Sequence, residues 1–356
     1  MPPREISAIA THPVFFQRNR VFRVYRGGKL FHEFFGDPAE DGNHPEEWIA
    51  SAVRALNDKG GPETEGLSLV EGSDLDFASL LAAAPELMTG GAPFAVLVKA
   101  LDSAIRLPAQ THPDKAFSRI HFKSDFGKTE MWLVLATRPG ANLYFGFKEG
   151  VTRAALERAV SGSETDPNAF TALLQEVPAK AGDVWLIPAR VAHAIGAGCL
   201  ILEVQEPSDF TIQPERWCGD YRLSDEEMYL GLDPSVALDC FDLGATGPAV
   251  IARGRRKPVI AAQNKTVVKE NLITYQDTPC FAVNRYTIRE GEFTLEARPA
   301  IFVVVSGQGE LRAETRARPI KRGDYFFLPA AAKPPVVAAG NELVIVECLP
   351  PQSSRT

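Results

Sequence analysis

One pattern, used twice, limits what this chain can fold into more than any other feature. Ala181-Gly-Asp-Val-Trp-Leu-Ile-Pro188 is matched by Arg322-Gly-Asp-Tyr-Phe-Phe-Leu-Pro329, with Gly182 and Gly323 set 141 residues apart. Each copy runs on through a loop into an apolar segment that ends in glutamate, Leu200-Ile-Leu-Glu203-Val and Val344-Ile-Val-Glu347-Cys. A turn, a strand, a proline, a loop and a second strand, repeated at long spacing, predict two related β-barrels in tandem. The 356 residues are more than one hydrophobic core comfortably holds, which agrees with two units. The copies differ at one telling place. At the same spacing His193 of the first copy falls opposite Pro334 of the second, and proline cannot ligate a metal. Chemistry is therefore expected in the first half and structure alone in the second.

Further strand-like runs lie at Phe94–Ala100, Met131–Ala136, Val184–Pro188, Cys199–Val204, Ile301–Val305, Tyr325–Leu328 and Leu343–Cys348. Phe302-Val-Val-Val-Ser-Gly307-Gln-Gly309-Glu-Leu-Arg reads as a hairpin turning at glycine. Helices are expected over Asp76–Met88 and as a pair over Thr152–Ser161 and Asp166–Val177, with Asp76, Thr152 and Asp166 as N-caps. The pair sits between strand-rich stretches and reads as an insertion. Arg253-Gly-Arg-Arg-Lys-Pro258 lacks periodicity and reads as a solvated linker near the domain boundary.

Charge and cysteine usage narrow the function. The formal charge is −7 with no block of like sign, which speaks against a nucleic-acid-binding role. No apolar run reaches the ~20 residues of a membrane helix, and charged residues near the N-terminus leave no visible export signal. The five cysteines are scattered and never spaced C-x-x-C. They read as reduced thiols of a cytoplasmic protein, so a metal would draw on His, Glu, Asp or Gln.

Those residue types cluster in the first half. In Leu107-Pro-Ala-Gln110-Thr-His112-Pro113 the Gln and His are two apart and share one face of an extended chain. In Gly127-Lys128-Thr129-Glu130-Met131-Trp132, Lys128 and Glu130 share a face in the same way. His193 follows the first copy of the repeated turn. Alone, His112 reads as a turn residue, His193 as a core histidine and Gln110 as nothing in particular. Glu130 among apolar residues is harder to set aside, because a buried carboxylate without a partner is costly. Two imidazoles, a carboxylate and an amide oxygen converging inside one barrel would suit a divalent ion, and zinc fits the set.

The order of several segments resembles the type I mannose-6-phosphate isomerase family of the cupin superfamily. The stretches that carry the resemblance are Pro45-Glu-Glu-Trp48-Ile-Ala-Ser51, Val98-Lys99-Ala-Leu, Gln110-Thr-His112-Pro-Asp114-Lys115, Gly127-Lys-Thr-Glu130-Met-Trp132, Val191-Ala-His193-Ala-Ile-Gly-Ala-Gly198 and Glu203-Val-Gln-Glu-Pro-Ser208-Asp209. The resemblance implies a mainly β chain of tandem cupin (jelly-roll) domains with a helical insertion near residues 152–177. Residues 1–250 would form the metal-binding catalytic domain and 262–350 a second cupin-like domain without the metal histidine. It implies one zinc ion per chain held by Gln110, His112, Glu130 and His193, with Lys128 and Asp209 as catalytic residues and Lys99 lining the substrate pocket. The implied reaction interconverts mannose 6-phosphate and fructose 6-phosphate, and either Lys128 or Asp209 serves as the proton-moving base.

Two positions depart from the family's pattern. Gln213 stands four residues after Asp209, where the family usually has arginine, and Pro108 stands two before Gln110, where it commonly has serine. Gln213 and Arg216 are accordingly the substrate-binding candidates at that end. The departures open a second expectation, isomerisation of an unphosphorylated sugar, and a third, a sugar-binding cupin without turnover.

Overall fold

The structure, a computed structural model, describes residues 3–57, 62–314 and 316–352. Two seven-stranded sheets dominate it. One runs in the order Arg255–Arg256, Val184–Ile187, Glu130–Thr137, Cys199–Gln205, Leu97–Asp102, Glu46–Ile49, Arg20–Val21. The other runs Val14–Phe15, Tyr325–Leu328, Ala300–Ser306, Leu343–Leu349, Ala282–Ile288, Val267–Ile273, Val259–Gln263. Each has a smaller sheet opposite it. Leu174–Pro178, Asn142–Phe147 and His193–Ile195 face the first, and a four-stranded sheet that includes Gln308–Ala313 and Val336–Ala339 belongs to the second half.

The central strands are buried on both faces, which is why they read as continuous apolar runs rather than alternations. Trp132 and Val134 point into the interior of the first half, while Met131 and Leu133 belong to a second cluster. That second cluster also holds Ile301, Val303, Phe327 and Val346, so the two large sheets pack face to face. Phe302 and Val304 fill the interior of the second half. Val14–Phe15, from the start of the chain, pairs with Tyr325–Leu328 and stitches the halves together. Glu47 does the same with charge: fully buried, it accepts hydrogen bonds from Tyr325 of the second half and from Arg20.

All seven expected runs overlap strands, and the N-caps Asp76 and Thr152 accept from Ser79 and Ala155 backbone N–H groups. Four local expectations are corrected. The helix over Asp76–Met88 is two helices, Phe77–Ala83 and Pro85–Thr89, because Pro85 cannot continue the first. The insertion holds one helix, Arg153–Gly162, not a pair. The stretch Asp166–Val177 makes a single 3-10 turn, Thr171–Leu173, and then joins the edge strand Asn142–Phe147 as Leu174–Pro178. A short segment gains little from an isolated helix when a strand edge is open beside it. The glycine turn at Gly307 is real (φ 79°), but no hairpin forms there. Ala300–Ser306 pairs within the large sheet and Gln308–Ala313 within the small one, so the turn carries the chain across the barrel. The expected linker near Arg253 is partly ordered as strand: Arg255–Arg256 pairs with Val184–Ile187, and Arg255 and Arg256 form ion pairs with Asp183 and Asp277.

Strand register shows how far the duplication goes. Glu203 lies opposite Lys99 on one side and Trp132 on the other; Glu347 lies opposite Asn284 and Phe302. Two residues back along the strand, Glu130 of the first half answers to Ala300 of the second. The second interior thus lacks the ionisable groups that face Glu203. Glu347 is instead fully buried and held by Arg298 (2.9 and 2.8 Å), Asn284 (2.8 Å) and the Tyr286 hydroxyl (3.0 Å). Removing one partner of such a pair strands a buried charge. Arg298→Met is expected to cost about 3 kcal/mol, and adding Glu347→Gln should restore at least half of it. Urea unfolding of both variants measures this, and a single variant as stable as the wild type would contradict it.

Candidate metal centre and pocket

Three of the four expected ligands meet inside the first half. His112 follows the Gln110–Thr111 bridge residues, Glu130 opens the strand Glu130–Thr137, and His193 opens His193–Ile195. One ligand atom from each lies within 4.8 Å of the others, and all three residues are buried. Gln110 joins them through a backbone bridge to His193, and its side-chain Nε2 lies 3.3 Å from His193 Nε2.

The hydrogen bonds fix which atoms face inward. His112 Nδ1 lies 2.9 Å from the Phe210 carbonyl and His193 Nδ1 lies 2.8 Å from the Val191 carbonyl. A carbonyl only accepts, so each Nδ1 carries the proton and each Nε2 offers a lone pair. Burial holds both rings below the usual histidine range. His112 is pushed down to about 3, with Lys128 adding to the effect of burial, and both rings are neutral as metal ligation requires. Glu130 is the reverse case. Burial pushes its carboxyl up, but positive charge beside it, that of Lys128 at 3.7 Å once the rings are neutral, works the other way and favours the ionised form. Its Oε1 accepts from the Trp132 indole at 3.0 Å, while its buried Oε2 has no hydrogen-bond donor and lies 3.3 Å from His112 Nε2. Its Oε1 lies 3.5 Å from His193 Nε2, and an ionised carboxylate set between two imidazole lone pairs, with one oxygen lacking a donor, has the chemistry of a cation site. The residues present therefore fit a divalent metal.

A pocket opens over this centre. Gln110, Lys128, Lys99, Asp209 and Gln213 all line it, so the structure brings these expected residues together. Lys128 Nζ reaches His112 Nε2 at 3.2 Å, Thr211 Oγ1 at 3.3 Å and Glu130 Oε2 at 3.7 Å. Lys99 lies between Glu203 (3.6 Å), Asp209 (3.7 Å) and Glu46 (3.8 Å), above the ring of Trp48. Gln213 donates to the Glu227 carbonyl at 3.1 Å. Arg216 is not brought to the pocket: its side chain pairs with Glu164 and Asp225 and donates to the Leu223 carbonyl.

Arg23, Glu46 and Glu203 are among the lining residues that carry no site role in the sequence reading. Arg23 bonds Glu46, Asn57 and Asp209; Glu46 accepts from Tyr25 and Trp48; Glu203 accepts from Trp132 at 3.1 Å. Glu46 sits in the Pro45-Glu-Glu-Trp48 stretch and Glu203 ends the repeated strand, so both had a signal. Arg23 lies in an unremarkable segment and had none. Burial and then the Glu130 charge push Glu203 up to about 7. Asp209 goes the other way: burial pushes it up, but Arg23 and Lys99 outweigh that and keep it below the usual range.

Two jelly-roll barrels in tandem, one of them with a buried His–Glu–His cluster that could hold a metal ion beneath a polar pocket, define a bicupin. The family described as "Mannose-6-phosphate isomerase, cupin domain" matches residues 271–347. A mannose-6-phosphate isomerase of Streptococcus mutans is 28% identical over 335 residues, 90% of this chain and 93% of that protein. A probable mannose-6-phosphate isomerase of Bacillus subtilis is 27% identical over 90% of this chain and 94% of its own length. Among solved structures, the mannose 6-phosphate isomerase from Bacillus subtilis superposes with a TM-score of 0.74 at 23% identity, covering 94% of this chain and 99% of that one. Along most of its length the chain is thus similar to mannose-6-phosphate isomerases, and its second half matches their cupin domain. Among the described residues no helix is long and apolar enough to cross a membrane.

Proposed function

We propose that this protein is a zinc-dependent aldose–ketose isomerase that interconverts mannose 6-phosphate and fructose 6-phosphate. The observation that supports it most is the buried Glu130 carboxylate between two histidine lone pairs, its donorless Oε2 3.3 Å from His112 Nε2 and its Oε1 3.5 Å from His193 Nε2. His112, Glu130 and His193 would hold one zinc ion per chain, with Gln110 as fourth ligand after its terminal amide turns its oxygen inward. When bound, zinc would supply a Lewis acid and a fixed positive charge for the oxyanion that develops during isomerisation. The metal half would be residues 1–250, with 262–350 as a supporting cupin, and the buried free cysteines favour the cytoplasm.

The protein's own groups divide the remaining work. Moving hydrogen between C1 and C2 needs a base that takes a proton from one carbon and returns it to the other. Its proton affinity must lie near the working pH. Asp209, held ionised by Arg23 and Lys99, is too weak a base and instead orients sugar hydroxyls together with Lys99. Glu203, raised toward neutrality, suits the carbon-to-carbon transfer. Lys128, next to His112 and Thr211, suits the proton exchange between the C1 and C2 oxygens. Gln213 serves the far end of the sugar. Arg216 acts only by anchoring its neighbours.

A second reading keeps the reaction and changes the substrate to an unphosphorylated sugar. Each cation lining the pocket is matched by carboxylates: Arg23 with Glu46 and Asp209, Lys99 with those two and Glu203, and Lys128 with Glu130 behind it. Glu227 adds a further acid beside Gln213. A coupled isomerase assay on mannose 6-phosphate and on free mannose, with and without chelator, tests both readings. Chelator-sensitive turnover of the phosphate ester is the expected result. Turnover of free mannose alone would favour the second reading, and binding of either sugar without turnover would sink both.

A further inference from the structure

We infer that Trp132 is a positioning residue for the metal centre: its indole N–H fixes how the Glu130 carboxylate is set between the two histidines. This rests on the proposal that His112, Glu130 and His193 hold a metal. Trp132 is fully buried and lies two residues after Glu130 on the same strand, so both side chains point to the same face. Its single N–H is shared between Glu130 Oε1 at 3.0 Å and Glu203 Oε2 at 3.1 Å. Indole can only donate, so it cannot satisfy a protonated nitrogen or compete for a cation. The bond holds Oε1 3.5 Å from His193 Nε2 and leaves Oε2 3.3 Å from His112 Nε2, so it sets the carboxylate between the two histidine lone pairs. Trp132 also meets the His193 ring edge-on, with centroids 5.5 Å apart and planes at 71°, so the same side chain braces a second ligand. Groups that hold a ligand's far atom set its orientation and its affinity for metal.

The chain carries its own comparison. In the second half, register puts Phe302 where Trp132 stands and Ala300 where Glu130 stands. The ring is kept and the N–H is lost in the copy that has alanine in place of Glu130, where Glu347, the counterpart of Glu203, takes its donors from Arg298, Asn284 and Tyr286 instead. A ring at this position therefore serves packing in both halves, while the indole nitrogen goes with Glu130, which only the first half has at that register. Trp48 repeats the device behind the pocket wall: its Nε1 donates at 2.6 Å to the lining residue Glu46, again two residues earlier on the strand.

Trp132→Phe isolates the N–H, because the same frame already accepts phenylalanine in its second copy. Metal-free full-length protein is titrated with zinc against a chromophoric chelator, and folding is followed by the far-UV spectrum and a cooperative melt. The expected result is zinc affinity lower by about 10- to 100-fold in a folded variant. Unchanged affinity would overturn the inference. Should the variant not fold, the wild type labelled at tryptophan decides: on zinc loading the indole N–H resonance of Trp132 is expected to shift, and four unmoved indole resonances would overturn it. If the wild type itself takes up no zinc, the metal-centre proposal fails first, and the inference fails with it.

Discussion

Glu130→Gln is expected to leave the purified protein without stoichiometric zinc and to lower kcat/KM by about three orders of magnitude or more. A Lewis acid at the reacting oxygens contributes several kcal/mol, and each 1.36 kcal/mol is tenfold in rate. The substitution is a narrow one. Glutamine keeps the volume of the side chain and can still accept the Trp132 indole at its amide oxygen, so the fold and the local hydrogen bonds have little reason to change. What disappears is the only carboxylate in the buried cluster of His112, Glu130 and His193. Two neutral imidazoles and two amides offer a divalent cation no anion, and the cost of stripping its water is no longer met. Metal analysis by mass spectrometry and the isomerase assay should fail together. A variant that kept one zinc per chain, or that turned over at the wild-type rate in excess chelator, would remove Glu130 from the centre.

Why this centre could be read from sequence, while its surroundings could not, comes down to range of interaction. Gln110 and His112, and Lys128 and Glu130, are spaced two apart, and extended backbone alone places such pairs on one side. The repeated Gly-Asp turn located His193, and the strands that follow are apolar on both faces because both faces are packed. The elements that went wrong were decided by pairing rather than propensity. Leu174–Pro178 became a strand because the edge of Asn142–Phe147 was there to accept it, and the chain at Gly307 crosses between sheets because each flank has a longer partner elsewhere. Arg23 shows the limit for the site. It approaches Asp209 across 186 residues of chain, and nothing near position 23 signals that contact. Arg216 shows the converse, a residue close to the motif in sequence whose partners, Glu164 and Asp225, hold it outside the pocket.

Glu203→Gln should lower kcat by about 10²- to 10⁴-fold, the usual worth of a positioned acid–base group, while the protein still takes up zinc. Glu203 accepts from the same indole as Glu130, yet it stands on the pocket side, with Lys99 at 3.6 Å. Its carboxyl is raised to about 7 from an ordinary 4.5, with burial as the larger cause and the Glu130 charge as the second. A cation on Glu130 cancels much of the second cause and leaves the first. The working pKa in the loaded enzyme therefore falls between those two values. The sign follows: the base form is the ionised one, so the rate should rise with pH through that interval and level off above it. Asp209, held below the usual carboxylate range, would place the same limb lower than 4, since its ordinary value is 3.8. The pH profile of kcat thus separates the two carboxylates without any mutation, and the variant adds a second test. If Glu203→Gln keeps both its rate and its limb, the proton moves through another group, and Lys128, which touches His112 and Thr211, becomes the one to examine.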